Sequence, residues 1–246
     1  MPMIEELEVS GNRLFRWRSY LPLLLVILII EAFHYFSYPF NSELLDNLWE
    51  VACILIGLAG LTIRGLTAGF APTGTSGRNT KKQVADMLNT TGMYSVVRNP
   101  LYLGNFFVGL SAIAFLHVWW LSLIYLLLFV LYYERIIFAE EMFLRRKFGD
   151  AYIQWATQTP AFIPKLSLWR KPELAFSLRT VIRREYQSFY GLIVSLFLLE
   201  QAGEFFLNHG WSLDPMWLWI MASSTLFYVV CRFLHKRTTV LLDAGR

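Results

Sequence analysis

The residues that could do chemistry fall in two places. Leu88 to Tyr102 reads Leu-Asn-Thr-Thr-Gly-Met-Tyr-Ser-Val-Val-Arg-Asn-Pro-Leu-Tyr, between a polar, glycine-rich stretch and an apolar run. Gly92 permits backbone conformations that other residues resist. Pro100 biases Asn99 away from helix and suits a first helical turn, so a helix starts near Pro100. Backbone N–H groups at such a start lack partners and can receive an anion or a carboxylate. Arg98 adds a permanently charged planar fork, and Tyr94 and Tyr102 add hydroxyls. A loop-to-helix junction with Arg98 on lipid headgroups is the other reading, and spacing alone leaves both open. The second place is Glu140-Glu141. Glu141 can pair with Arg145 at i, i+4. Glu140 lies about 100° further round a helix, suited to hydroxyl groups or a cation.

These side chains sit in a chain built for a bilayer. Of 246 residues, 56% are hydrophobic and 16% charged, against about 25% charged in soluble domains. The formal charge is +4. The basic residues flank apolar runs, which fits membrane topology rather than nucleic-acid binding. Cys53 and Cys231 lie in apolar runs and read as small buried hydrophobes, not a disulfide or metal pair. The fold class expected is all-α and polytopic, with about six transmembrane helices and a cytosolic amphipathic extension.

In order, residues 1–19 form an interfacial segment with Arg13, Arg16 and Arg18, and no cleavage site follows the first apolar run. Two spans occupy 20–66, roughly Tyr20 to Tyr38 and Leu45 to Leu66. The core follows over 67–165. A long polar loop, with a short helix at Gln83 to Leu88, leads into a helical hairpin of Leu101 to Trp120 and Leu121 to Phe138. Its turn is placed at Phe115 to Trp119, around an interfacial His117. The second hairpin helix continues beyond the membrane, with Leu144, Phe148, Tyr152 and Trp155 at helical spacing and a break at Gly149. Residues 166–188 are basic and suit anionic headgroups. Two spans and a basic tail fill 189–246. All 22 Lys and Arg then lie on one side, which places both termini in the cytosol of a bacterial inner membrane.

Gly92-x-Tyr94-x-x-x-Arg98-Asn99-Pro100-x-Tyr102-x-Gly104, followed by Glu140-Glu141-x-x-Leu144-x-x-x-Phe148-Gly149-x-x-Tyr152 and then Pro160 and Pro164, resembles the integral-membrane methyltransferases. That group includes the isoprenylcysteine carboxyl methyltransferases and the phospholipid methyltransferases, and the resemblance covers roughly residues 60–165. It implies S-adenosylmethionine (SAM) as cofactor, with Gly92, Tyr94, Asn99, Pro100, Tyr102, Glu140 and Glu141 at its site. Arg98 and Glu140 are the residues implied closest to the chemistry. The family usually has His where this chain has Asn99, and Asn cannot titrate near neutrality.

For the acceptor, Arg64, Arg78, Lys81, Lys82, Arg98 and Arg145 suggest an anionic headgroup, such as the phosphate of a phospholipid or a lipid A-type glycolipid. A carboxylate or amine acceptor is the alternative. A sterol-type reductase using NADPH, which shares an Arg-x-Pro-x-Tyr region, is a rival that the Glu pair disfavours. A transporter would need paired halves and polar groups at mid-membrane. The expected partners are a membrane lipid or lipidated substrate and the bilayer, with no nucleic acid, no metal and no obligatory protein partner.

Overall fold

The computed structural model describes residues 2–18, 20–72, 83, 85–208, 210 and 214–243; side chains at 21–24, 41 and 208 are not described. The described residues are helical or irregular. The helices are α1 (Met3–Trp17), α2 (Leu21–Ala32), α3 (Glu43–Phe70), α4 (Met93–Val96), α5 (Pro100–Ala114), α6 (Trp119–Phe148), α7 (Asp150–Gln158), α8 (Leu178–Asn208) and α9 (Pro215–Arg237).

Four helices, α3, α6, α8 and α9, are long and apolar enough to cross a membrane. The first and third expected spans are shorter than the sequence suggested. α2 passes at Phe33 into a 3-10 turn ending at Tyr35, and α5 ends at Ala114. The hairpin turn falls where expected, at Phe115 to Val118, with His117 at a positive φ of 59°. His117 is packed rather than merely interfacial: its ring lies against Phe36 and Trp49, and its Nε2 is 3.3 Å from Asp46. Among the described residues of Gln83 to Leu88 there is no helix. α8 begins at Leu178, so Arg179, Arg183 and Arg184 of the basic segment stand on its first turns.

The largest interface joins α3 to α5. It is a backbone-to-backbone crossing: a Cβ on Gly60 would come within 2.6 Å of the Gly104 carbonyl oxygen, and one on Gly104 within 2.8 Å of that of Gly60. Small residues permit this approach where lipid offers no hydrophobic drive. Next comes α1 against α6. Glu8 accepts two bonds from Arg146 at 2.5 and 2.9 Å, and Tyr132 donates to the Leu14 carbonyl at 2.8 Å. The N-terminal segment therefore docks on the extension of α6.

Where α3 and α9 start and α8 ends, a second polar group is buried. Trp217 Nε1 donates to Glu50 at 3.1 Å, Glu50 lies hydrogen-bonded to Glu200, and Tyr38 donates to Glu204. This group is at the opposite end of α3 from Arg64, and it pins the bundle there.

Candidate functional site

The segment from Gly92 to Arg98 is held by its pairing with residues 160–170. Gly92 adopts φ 59°, ψ −133°, a region closed to L side chains, and its N–H donates to the Arg170 carbonyl at 2.9 Å. α4 is a single turn, closed by Ser95 Oγ donating to the Gly92 carbonyl at 2.7 Å and accepting from Arg170 N–H at 2.9 Å. Val97 is extended. Arg98 N–H donates to the Pro160 carbonyl at 2.8 Å, and Lys165 N–H to that of Val96 at 3.0 Å. Asn99 Nδ2 donates to the Ala161 carbonyl at 3.3 Å, and Pro100 then opens α5. Pro160 and Pro164 thus belong to a strap that fixes the arginine.

Glu140 and Glu141 project from neighbouring positions of α6 into two different clusters. Tyr102 donates to Glu140 at 2.7 Å, and Arg18 of the N-terminal segment reaches the Tyr102 hydroxyl at 3.3 Å. Tyr94 faces the same carboxylate. Burial, then the charge of Glu140, pushes its hydroxyl above the usual phenol range, against the pull of Arg184. Trp155 Nε1 fixes the Tyr94 backbone by donating to its carbonyl at 3.0 Å.

The second cluster is Arg98, Glu141 and Tyr152. Arg98 Nε lies 3.1 Å from Glu141, and Nη1 donates to the Ala156 carbonyl at 2.8 Å. Burial, then the adjacent Glu141, raises the Tyr152 hydroxyl. Glu141 therefore pairs with Arg98 and not with Arg145, the alternative its i, i+4 spacing offered, which stays exposed on the α6 extension. The tertiary partner wins because it is partly buried, where an ion pair escapes the screening that weakens an exposed i, i+4 pair.

The expected residues Gly92, Tyr94, Arg98, Asn99, Pro100, Tyr102, Glu140 and Glu141 are therefore gathered between α4, the start of α5, the end of α6, and α7 with its strap. Arg64 stands apart. Its guanidinium donates to Glu185 at 2.8 and 3.0 Å and to Asn105, so its charge is already neutralised within the protein. Arg78, Lys81 and Lys82 lie outside the described residues. Sequence reasoning missed Arg18, Asn105, Tyr133 and Glu185. Asn105 hydrogen-bonds Tyr133, and the Tyr133 ring is 4.8 Å from that of Tyr102. Arg18 was visible only as part of a basic run, with nothing local to link it to Tyr102.

Within this cluster the polar groups meet one another: Arg98 Nε faces Glu141 Oε1, and the Tyr152 hydroxyl hydrogen-bonds Glu141. Arg98 and Glu141 touch as an ion pair without hydrogen-bond alignment. Buried polar groups normally find partners, and here an acid, a base and a phenol supply them to each other. A depression of about 600 Å³ beside Arg98, bounded by Ala156, Thr159, Pro160 and Lys165, opens to it. By charge, Arg98 suits a carboxylate and Glu141 an amine, the two ends of an amino acid moiety. Ribose hydroxyls suit Glu140.

The sequence over residues 49–151 matches the family model described as phospholipid methyltransferase. The chain belongs to the phospholipid methyltransferase family. The matched region runs from within α3 through α6 and carries Arg98, Glu140 and Glu141, whereas α1, α8 and α9 lie outside it. The nickel-cobalt-cadmium resistance protein NccN of Alcaligenes xylosoxydans xylosoxydans is 33% identical over 164 residues, 66% of this chain and 69% of the relative. The cobalt-zinc-cadmium resistance protein CzcN of Cupriavidus metallidurans is 29% identical over 143 residues, 58% of this chain and 63% of the relative. No solved structure matches the chain significantly.

Proposed function

We propose that this family member uses SAM to methylate an anionic oxygen on the headgroup of a membrane lipid, such as the phosphate of a phospholipid or of a lipid A-type glycolipid. The reading is carried by the partly buried Arg98–Glu141 pair with Tyr152, a cation and a carboxylate set beside Glu140 at the mouth of α5. The distribution of Lys and Arg supports placing that mouth on the cytosolic side, within reach of a soluble cofactor.

SAM, when bound, supplies an electrophilic methyl group on a sulfonium. Arg98 and Glu141 hold the two charges of its amino acid end, and the Arg98 backbone is anchored by Pro160, so the position is fixed by the fold. Glu140, fixed by Tyr102, holds a hydroxyl-bearing or cationic part. Bound there, SAM would supply a methyl to an anionic oxygen and leave the lipid with one charge fewer. No proton moves, which agrees with Asn at position 99. The protein's contribution is in-line placement and the exclusion of water from opposite charges.

The names of the two relatives suggest a setting. Removing negative charge from headgroups weakens the attraction of divalent cations to the membrane surface, and a methyltransferase acting on lipid phosphate would do this directly.

Purified protein in detergent, given methyl-labelled SAM and a total lipid extract, should yield a labelled lipid sensitive to phosphate-ester hydrolysis. A labelled amine or carboxyl ester would replace the acceptor in this proposal. Failure to bind either SAM or its demethylated product would remove the enzymatic reading, and binding of NADPH instead would point to reductase chemistry.

A further inference from the structure

A groove of about 780 Å³ lies between α3, α8 and α9, within the roughly 300–1,000 Å³ of small-molecule sites. Leu58, Leu61, Leu66, Phe189, Ile193 and Ile220 make its walls apolar. It runs about 12 Å along α3 from Leu58 to Leu66. Its rim at Thr62, Phe176 and Phe227 is exposed, which opens it sideways to lipid. Glu185, toward the cytosolic end of α8, is the one charged residue in its lining.

That charged end is wired to the site. Glu185 holds Arg64 at 2.8 and 3.0 Å, and Arg64 also donates to Asn105. Asn105 hydrogen-bonds Tyr133, whose ring packs on Tyr102, the donor to Glu140. An amphiphile with its chain among Leu58, Ile193 and Ile220 would bring its head out at Arg64 and Glu185, one chain of contacts from Glu140. The shape is that of a tail site ending at a head site. Two of its three walls come from α8 and α9, outside the matched residues 49–151.

We infer that the groove between α3, α8 and α9 holds a hydrocarbon chain of the methyl-acceptor lipid, so that the two C-terminal helices select the acceptor by its tail. The inference rests on the methyltransferase reading for the word acceptor and on the groove's own geometry for the chain. Thr62 and Ser223 stand at the groove with hydroxyls bonded only to their own helices, to the Leu58 and Ile220 carbonyls at 2.8 and 3.0 Å. Trp at both positions fills the groove without breaking a tertiary bond.

The full-length protein, reconstituted in phosphatidylcholine vesicles without SAM, is irradiated with hexadecyl phosphate carrying a diazirine in its chain, and the labelled peptides are identified. Adducts should concentrate on α3, α8 and α9 at the groove and fall about tenfold in T62W/S223W. In parallel, methyl transfer from SAM to the total lipid extract should fall about tenfold through KM in that variant, with SAM binding unchanged. L128W, on the lipid-facing side of α6 (Leu128 is 44% exposed), should keep both signals. Adducts spread equally over α6 and the groove would mean ordinary surrounding lipid and overturn the assignment. So would full methyl transfer by a folded T62W/S223W, while leaving the enzyme reading intact. Groove labelling in a protein that neither binds SAM nor makes product overturns the acceptor assignment through the enzyme reading, and the cofactor-free labelling tells the two failures apart.

Discussion

Gly104→Ala isolates what the α3–α5 crossing does for the site. A Cβ there would stand 2.5 Å from Arg64 Cγ and 2.8 Å from the Gly60 carbonyl oxygen. Ordinary contacts of this kind are 3.4–4 Å, so the two helices must separate by roughly 1 Å. Overpacking of this sort costs about 1–3 kcal/mol, and the helical gain of Ala over Gly returns about 1 kcal/mol. Net destabilisation is then about 0–2 kcal/mol, and the protein should stay folded in detergent. Activity should suffer more. α5 carries Pro100 and Tyr102 on the same rigid helix, and a displacement near 1 Å at a positioning site costs about a hundredfold in rate. Gly191→Ala is the internal control, because a Cβ there meets nothing within 4 Å. Methyl transfer and thermal unfolding of both variants, measured side by side, decide it. A Gly104→Ala protein as active as wild type would show that the crossing does not set the position of Tyr102, and equal damage from Gly191→Ala would show that the effect is not steric.

Other expectations follow from the same contacts. Glu140→Ala and Arg98→Ala should each abolish methyl transfer in folded protein. Glu141→Gln should weaken SAM binding by about 10–150-fold, the loss of one bond to a charged group; unchanged calorimetric affinity would take Glu141 out of the site. Arg64→Ala leaves Glu185 buried without its cation and should destabilise by about 3–5 kcal/mol, most of it regained in Arg64→Met with Glu185→Leu; a joint variant as unstable as the single one would contradict this. The Arg146 hydrogen bond, and secondly its charge, hold the Glu8 carboxyl below its ordinary value of 4.5. A pKa lowered by folding gives stability that is fully present above that ordinary value and is lost as pH falls through the lowered one. Protection factors over Met3 to Trp17, taken relative to intrinsic exchange at each pH, should therefore be higher at pH 6 than in acid below the ordinary carboxyl range, and loosening that begins near neutral pH would implicate another group.

The site was legible where local backbone chemistry decides structure. Gly92, Pro100 and Gly149 each dictate a turn or a helix end, which marks the local breaks around Arg98, Tyr102 and the Glu pair, while the strap of residues 160–170 fixes Arg98 in space. Partners distant in sequence were not legible. Glu185 is 121 residues from Arg64, and Arg18 is 84 from Tyr102; charge alone could not say which base meets which acid. The fold was legible as helices and a hairpin, but not in the lengths of α2 and α5. Apolar runs continue through Phe33 to Tyr35 and through Phe115, so hydropathy does not mark where those helices stop. The start of α8 was hidden for the opposite reason: its first turns are basic enough to read as a headgroup segment.

The docking of α1 on α6 has a consequence for how the protein is made. Arg18 emerges from the ribosome long before Glu140. At about 5–20 residues per second, an interval on the order of ten seconds separates Trp17 from the end of α6. During that time α1 has no helix to dock on, and its apolar residues Met3, Ile4, Val9 and Trp17 stay exposed even in the finished fold. The membrane surface is where such a helix waits. The docked helix of the structure is then the end point of that wait. Because Arg18 reaches the Tyr102 hydroxyl that bonds Glu140, the cluster around Glu140 includes a residue that only α1 docking brings.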